Sequence, residues 1–433
     1  MPKNGSPDDE MRERRIRRIL SRIESQLRKD LQPGRQTFDE TEEQAVQIGD
    51  EIKKVIVEEV NRDCGTGFAG NRLRCGCGAS AHYKRTQERV IVSCAGIHKF
   101  ERAYYYCNSC RSGWCPLDTL LGLPETGECS PRVRSLASRL SCFLPFRQVS
   151  EELEVFCGVR LAPSTIERIS QLVGGRVAQE WKDRERLVLQ GRAPSSGLRP
   201  KQLHLSMDGV MIFVDGDWRE AKLGCAYQCS EGGGVTRSHY YATLAKSHAF
   251  GRRMLTLSHW EGADRCAKVA VVGDGGNWIW LEAGKYFTQK TQILDYFHVT
   301  QRLWVVAKAR YGEGSELAST WMRLQEGRLM DDRISEVISD ISEWRPRRTD
   351  YRKERRTSLA FLKTHSGRMK YATFARDGWH IGSGVIEAGC KCVVKARMGG
   401  AGMRWSTKGA EAMLHLSAMW RSTDHANFYK YAV

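Results

Sequence analysis

The chain has 433 residues, 41% of them hydrophobic and 27% charged, which sets an expectation of two to four domains with real cores and excludes a disordered polymer. Its 68 Lys and Arg against 51 Asp and Glu give a net charge of +17, which suits a polyanionic partner such as nucleic acid. No apolar run reaches the roughly 18 residues of a membrane span and the N-terminus lacks a signal-peptide core, so a cytoplasmic protein with no membrane partner is expected.

Residues 1–70 read as a basic helical segment. Arg12, Arg14, Arg15, Arg17, Arg18 and Arg22 are interleaved with Ile16, Ile19, Ile23 and Leu27 at helical spacing, and a second amphipathic stretch covers 45–60. Two solvated helices and a DNA-contacting arm both fit. Residues 71–125 turn to cysteines, aromatics and β-formers, as at 89–92 and 103–106, and form a small zinc-ribbon-like module. Residues 126–190 are helical. The stretch 146–156, a turn at Cys157-Gly158, and 163–173 have helix-turn-helix proportions, with Ser164 or Thr165 as cap and Arg168 facing outward to DNA.

A Gly/Ser/Pro-rich linker at 191–200 leads into strand patterns at 202–207, 210–214, 221–228 and 239–244, with Asp215-Gly216 as a hairpin turn. Residues 200–300 continue with a helix and two apolar strands, 268–272 and 292–294. The segment 301–378 is helical and basic (Arg345, Arg347, Arg348, Arg352, Lys353, Arg355, Arg356), and 379–433 supplies closing helices. This order predicts an α/β ribonuclease H-like core with an α-helical insertion, preceded by the cysteine module and a helical DNA-binding segment.

Fifteen cysteines, an odd number without a secretion signal, argue against a disulfide framework. Cys75-Gly76-Cys77 and Cys107-Asn108-Ser109-Cys110 are instead two tight turns separated by strand-forming sequence. That spacing gathers four thiolates for a structural Zn²⁺. The first pair is one residue short of the usual turn, and Cys94 or Cys115 could stand in as ligands.

Three carboxylates stand out. Asp208 follows an apolar-alternating stretch and precedes Gly209. Asp274 lies between an apolar strand and Gly275-Gly276, and Glu387 sits near the start of a helix. Hard oxygen ligands on strand ends and an adjacent helix can clamp two Mg²⁺ or Mn²⁺ ions about 3.5–4 Å apart. Asp295, in Asp295-Tyr296-Phe297-His298, also follows an apolar strand and rivals Asp274; His298 could orient a phosphate or support a ligand. Lys391 and Lys395 continue from Glu387 at i,i+4 spacing, either as phosphate-neutralising charge or as a salt-bridged face.

Taken together these stretches resemble the ISKra-type insertion-sequence transposases, a bacterial family related more distantly to Mutator-like enzymes. The similarity runs over about residues 70–420. It includes Cys75-Gly76-Cys77-Gly78, Cys107-Asn108-Ser109-Cys110, Ser206-Met207-Asp208-Gly209, Phe250-Gly251-Arg252-Arg253, Gly273-Asp274-Gly275, Asp295-Tyr296-Phe297-His298, Ile386-Glu387-Ala388-Gly389-Cys390-Lys391 and Gly402-Met403-Arg404-Trp405. The resemblance implies a DDE transposase with Asp208, Asp274 and Glu387 as catalytic metal ligands; separately, DNA contacts are expected from Arg168, Arg252, Arg253, Lys395 and Arg404. Its partners would be the element's terminal repeats and target DNA, and it would act as a homo-oligomer on the bacterial nucleoid. A ribonuclease H-like nuclease without strand transfer, or a DNA-binding regulator derived from a transposase, are the alternative readings.

Overall fold

The computed structural model describes residues 7–30, 34, 36–124, 127–230, 233–288, 290–423 and 429–433. It divides into two compact units, Met1–Ile169 with Tyr429–Val433, and Ser170–Phe428. Among the described residues, no helix is long and apolar enough to cross a membrane.

The first unit begins with helices α1 (Pro7–Asp30) and α2 (Phe38–Arg62), the latter started by a Thr37/Glu40 capping box. Half of the basic run of α1 is turned onto α2. Arg15 and Arg18 bind Asp63, and Arg18 and Arg22 reach the fully buried Glu59 at 3.1 Å each. Those guanidiniums compensate a buried carboxylate, so Arg15, Arg18 and Arg22 serve the packing of α1 on α2 and are not part of a freely solvated run.

A four-stranded antiparallel sheet follows, β1 (Arg72–Arg74), β2 (Ser80–Ser93), β3 (Gly96–Cys107) and β4 (Ser112–Trp114), in sequence order. Helices α3 (Pro116–Leu120), α4 (Pro131–Ser141) and α5 (Phe146–Cys157) complete it. Gly158 ends α5 at φ 62°, in the left-handed region that favours glycine. Helix α6 (Pro163–Leu189) then starts at its proline, and the Thr165 and Ile166 amides return to Ala162 O. Ser164 and Thr165 therefore lie inside the first turn rather than at the cap, and Arg168 is exposed.

The second unit is a mixed α/β structure around a five-stranded sheet of order β7-β6-β5-β8-β9. Strands β5 (Gln202–Val214), β6 (Asp217–Cys229) and β7 (Val235–Thr243) form an antiparallel meander; β8 (Lys268–Gly273) and β9 (Thr291–Leu294) join parallel to β5. Asp215 (φ 51°) and Gly216 (φ 83°) make the expected two-residue turn. Apart from its first residue β8 is buried throughout, as a parallel strand covered on both faces requires. Gly224 of β6 faces Phe250 and Met254 of α7 (Ser247–Trp260), while its neighbour Leu223 faces Gly389 on the opposite side.

Helix α8 (Asn277–Tyr286) lies between β8 and β9 in the chain. Helices α9 (Tyr296–Tyr311), α10 (Glu316–Met330), α11 (Ile334–Glu343), α12 (Thr349–His365) and α13 (Tyr371–Arg376) fill the stretch read as a helical insertion. Helix α14 (Gly384–Gly389) runs through a π-helical stretch (Cys390–Lys395) into α15 (Ala396–Met398), and α16 (Thr407–Arg421) closes the unit against β7.

Candidate functional site

The sequence places Asp208 at a strand end, but β5 continues unbroken through it to Val214. What ends there is the parallel pairing: Met207 opposite Gly273 is the last β5–β8 partner pair, so Asp208 and Asp274 follow it side by side. Gly209 is not a turn residue either. A Cβ there would lie 2.1 Å from Glu220 Oε1, so the glycine makes room for that side chain. Gly209 N donates to Asp208 Oδ1 at 2.6 Å and the Cys390 thiol donates to Oδ2 at 3.2 Å. Burial pushes the Asp208 carboxyl above its ordinary value and the charge of Asp274 adds to this, opposed by those two hydrogen bonds.

Asp274 opens the loop after β8. Its Oδ1 accepts from Gly276 N at 2.8 Å, and Trp280 Nε1 holds its carbonyl at 2.8 Å. With His298, Gln301, Arg302 and Phe361 it lines an open cleft of about 450 Å³. Gly275 brings the loop against Phe361, where a Cβ would meet the ring at 2.1 Å.

Asp295 is placed differently from its rival. Its backbone N–H bonds Gly273 O at 2.8 Å, so it too stands next to the β8 end, but its side chain is fully buried. It caps α9 through Phe297 N (2.7 Å), accepts from His298 Nδ1 (2.9 Å) and is bonded by Ser383 Oγ. Burial raises its carboxyl, but those three donors outweigh it and hold it below the ordinary range. Bonding to Asp295 raises His298, and the charges of Asp274 and Glu387 act the same way. Ser383 Oγ also lies 2.9 Å from Glu387 Oε1.

Ligand atoms of Asp295, His298 and Glu387 all fall within 4.8 Å of one another; Asp208, Asp274 and Glu387 do not form such a group among the described residues. Carboxylates that share two ions about 3.5–4 Å apart need not all meet at one point, as the ligands of a single ion do. Asp208 is raised chiefly by burial, with the charge of Asp274 adding to it, and a cation between partly buried carboxylates would relieve both effects.

The expected face Glu387-Lys391-Lys395 is interrupted. The i→i+5 bonding of the π stretch adds a residue to the turn, so i,i+4 stacking does not persist along it. Cys390 is buried toward Asp208, and Lys391 is exposed with no ion pair among the described residues. Lys395 is exposed, and its charge reaches Cys390. Arg404 is exposed as well. Arg252 and Arg253, expected on DNA, are instead bound to Glu185 of α6, Arg252 Nε at 2.6 Å, and Arg253 also donates to Trp181 O at 2.7 Å. Such pairing compensates the largely buried Glu185 and gives both arginines an internal structural role. Trp280 is buried, Trp278 packs against the core, and Trp304 keeps 36% of its surface exposed. Sequence reasoning missed Ser383 and Cys390; nothing in a serine or cysteine on a helix start signals a partner more than 80 residues away.

In the first unit, Cys75, Cys77, Cys107 and Cys110 come together as a group that could hold a metal ion. Sγ separations of 3.5 Å (Cys75–Cys110) and 3.7 Å (Cys77–Cys107) are close to the edge of a tetrahedron with metal–sulfur bonds of about 2.3 Å. The short first pair closes because Gly78, at φ 89°, returns its N–H to Cys75 O at 2.9 Å. Cys115 Sγ accepts from Gln87 and Cys94 lies by Cys157, so neither stands in as a ligand.

The chain is thus a mixed α/β protein with carboxylates placed where the β5–β8 pairing ends, and with a four-cysteine group. No family model matches it. It is similar to a protein described as UPF0236 protein in vanSb 3′region, from Streptococcus gallolyticus. The two are 24% identical over 364 residues, covering 80% of this chain and 75% of that protein.

Proposed function

We propose that this protein is a DNA transposase of the DDE type, built on a ribonuclease H-like core. One observation carries the reading: Asp208 and Asp274 stand side by side just past the last β5–β8 pair, and the helix bearing Glu387 docks on the same sheet beside them. The antiparallel meander, two parallel strands, helical stretch and closing acidic helix also follow the element order from which that fold is expected.

Asp208, Asp274 and Glu387 would hold two Mg²⁺ or Mn²⁺ ions, which when bound activate the attacking water or 3′-hydroxyl and stabilise the leaving oxyanion. Asp295 keeps α9 and His298 in place, and His298 faces the cleft where it can orient a phosphate. Arg302 and Gln301 line the same cleft as backbone contacts, and exposed Lys391, Lys395, Arg404 and Arg168 add sequence-independent phosphate attraction. The four cysteines take Zn²⁺ as a closed structural site without an open position for chemistry. Two element ends must be held together, so the working form is a homo-oligomer.

The test is Mg²⁺- or Mn²⁺-dependent cleavage of duplexes carrying the two ends of the DNA element that encodes the protein, followed by a strand-transfer assay. Wild-type cleavage and joining, abolished by Asp208→Asn and Asp274→Asn, is the expected result. Cleavage without joining would reduce the protein to a nuclease, and unchanged cleavage by Asp208→Asn would refute the assignment.

A further inference from the structure

We propose that Cys390 is the positioning residue of Asp208: a buried thiol that fixes the carboxylate for cation binding. The inference rests on the proposed metal site and concerns a residue with no role in the reaction as described above.

Asp208 and Leu223 are partners across the β5–β6 ladder, and cross-strand partners point to the same face of a sheet. On that face Leu223 meets Gly389, where an added Cβ would lie 3.0 Å from Leu223 Cδ2 and 2.7 Å from Tyr240 Cε1. The helix therefore sits at glycine distance from the sheet, and the residue after that glycine is Cys390, 7% exposed. Its thiol donates to Asp208 Oδ2 at 3.2 Å. The other oxygen is held by Gly209 N at 2.6 Å. Each carboxylate oxygen offers two lone-pair directions, so both contacts together fix the side-chain torsion and leave one direction per oxygen for a cation. A thiol is a weak donor, so it orients Oδ2 without drawing much electron density from it.

The π-helical stretch begins at Cys390, and π turns inside helices recur at functional sites. Here the close Gly389 contact keeps Cys390 beneath Asp208 while the exposed Lys391 and Lys395 face solvent. A partner that orients a ligand from behind commonly contributes 10–100-fold in metal affinity.

The experiment uses the full-length protein and Mn²⁺ alone as probe. Free Mn²⁺ is followed by electron paramagnetic resonance without DNA, alongside the Mn²⁺ concentration for half-maximal cleavage and the melting temperature. Cys390→Ala is expected to weaken Mn²⁺ binding about 10-fold with an unchanged melting temperature and unchanged metal-free DNA affinity. Cys390→Ser, which keeps a donor, should stay within about 3-fold of wild type. Should the alanine variant unfold, Cys390→Val fills the space without a donor and is expected to show the same loss. Wild-type Mn²⁺ affinity in the alanine or valine variant overturns the proposal, as does equal loss in all three accompanied by lower melting temperatures. Asp208→Asn separates the two levels. If it binds Mn²⁺ and cleaves like wild type, the metal site itself is wrong; if it loses both while the Cys390 variants do not, only the positioning role falls.

Discussion

Asp295 Oδ2 lies 2.9 Å from His298 Nδ1 within the first turn of α9, the helix that Asp295 itself caps. A buried carboxylate with three donors holds structure together, whereas Asp274, partly exposed on the cleft loop, is open to a ligand. Asp295→Ala removes a helix cap worth about 1 kcal/mol and leaves His298 and Ser383 without their shared partner, for a total loss of about 3 kcal/mol. Asp274→Ala should cost under about 1 kcal/mol, as a substitution outside the core. Urea denaturation of both variants measures the difference. Equal losses would show that Asp274 is as structural as its neighbour.

The cysteine group gives a metal-removal prediction. The purified protein should carry about one equivalent of zinc, and chelation should lower the melting temperature of the first unit because metal binding is coupled to folding in small β modules. Cys75→Ser or Cys107→Ser should abolish the zinc content. Cys94→Ser and Cys115→Ser should leave it intact, since both lie outside the group. Elemental analysis decides it: zinc retained by both knuckle variants would exclude a four-thiolate site.

His204 carries a pH prediction. It is fully buried, stacked on Tyr227 at 4.9 Å, and its Nε2 accepts the His380 N–H at 3.2 Å, an arrangement that requires the neutral ring. Burial, with a contribution from His380, lowers it to about 4. The unfolded chain therefore binds a proton near pH 6.5 while the native state does not until about pH 4. With more protons bound in the unfolded state over that window, stability falls as pH drops from 6.5 to 4, by at most about 3 kcal/mol from this residue. His204→Phe keeps the stacking and should reduce the slope of stability against pH by close to one proton in that range. An unchanged slope would rule out His204 as its source.

Gly275 predicts a steric coupling. A methyl group there would lie 2.1 Å from Phe361 Cε2, so Gly275→Ala should destabilise by about 1–3 kcal/mol through overpacking and shift the Asp274 loop. Phe361→Leu in the same chain should recover a good part of that loss. The double-mutant cycle reads the coupling directly, and strict additivity would mean that the loop yields rather than the ring.

Much of this arrangement is legible in the sequence because its signals are local. Strand-forming runs mark β5 to β7, the Asp215-Gly216 turn fixes one register, and the apolar run of β8 delivers Asp274. The two cysteine turns declare themselves by spacing. What could not be read depends on partners distant in the chain: Glu59 beneath the arginines of α1, Ser383 against Asp295 (88 residues apart) and Cys390 against Asp208 (182 apart). Patterning also cannot register a π turn, since one added residue leaves the composition of a helix unchanged. Asp208 looks like a strand end because Gly209 follows it, yet the glycine answers to Glu220 across the ladder.

Arg253 shows why a basic residue in a matched motif need not touch DNA. Its side chain is 14% exposed, bonds Glu185 and donates to Trp181 O at 2.7 Å, while Arg252 holds the same Glu185 at 2.6 Å. Truncating Arg253 leaves Glu185 with one partner instead of two, so Arg253→Ala should cost about 2 kcal/mol of stability, less than breaking a lone buried pair. Its effect on DNA binding should be slight, with an unchanged slope of log affinity against log salt, because no phosphate contact is removed. Lys395→Ala and Arg404→Ala are exposed changes; each should leave stability unaltered and reduce that slope by about one. Binding of a nonspecific duplex over a salt series, with melting curves of the same variants, separates the two classes. A reduced slope for Arg253→Ala at unchanged stability would return that residue to the DNA interface.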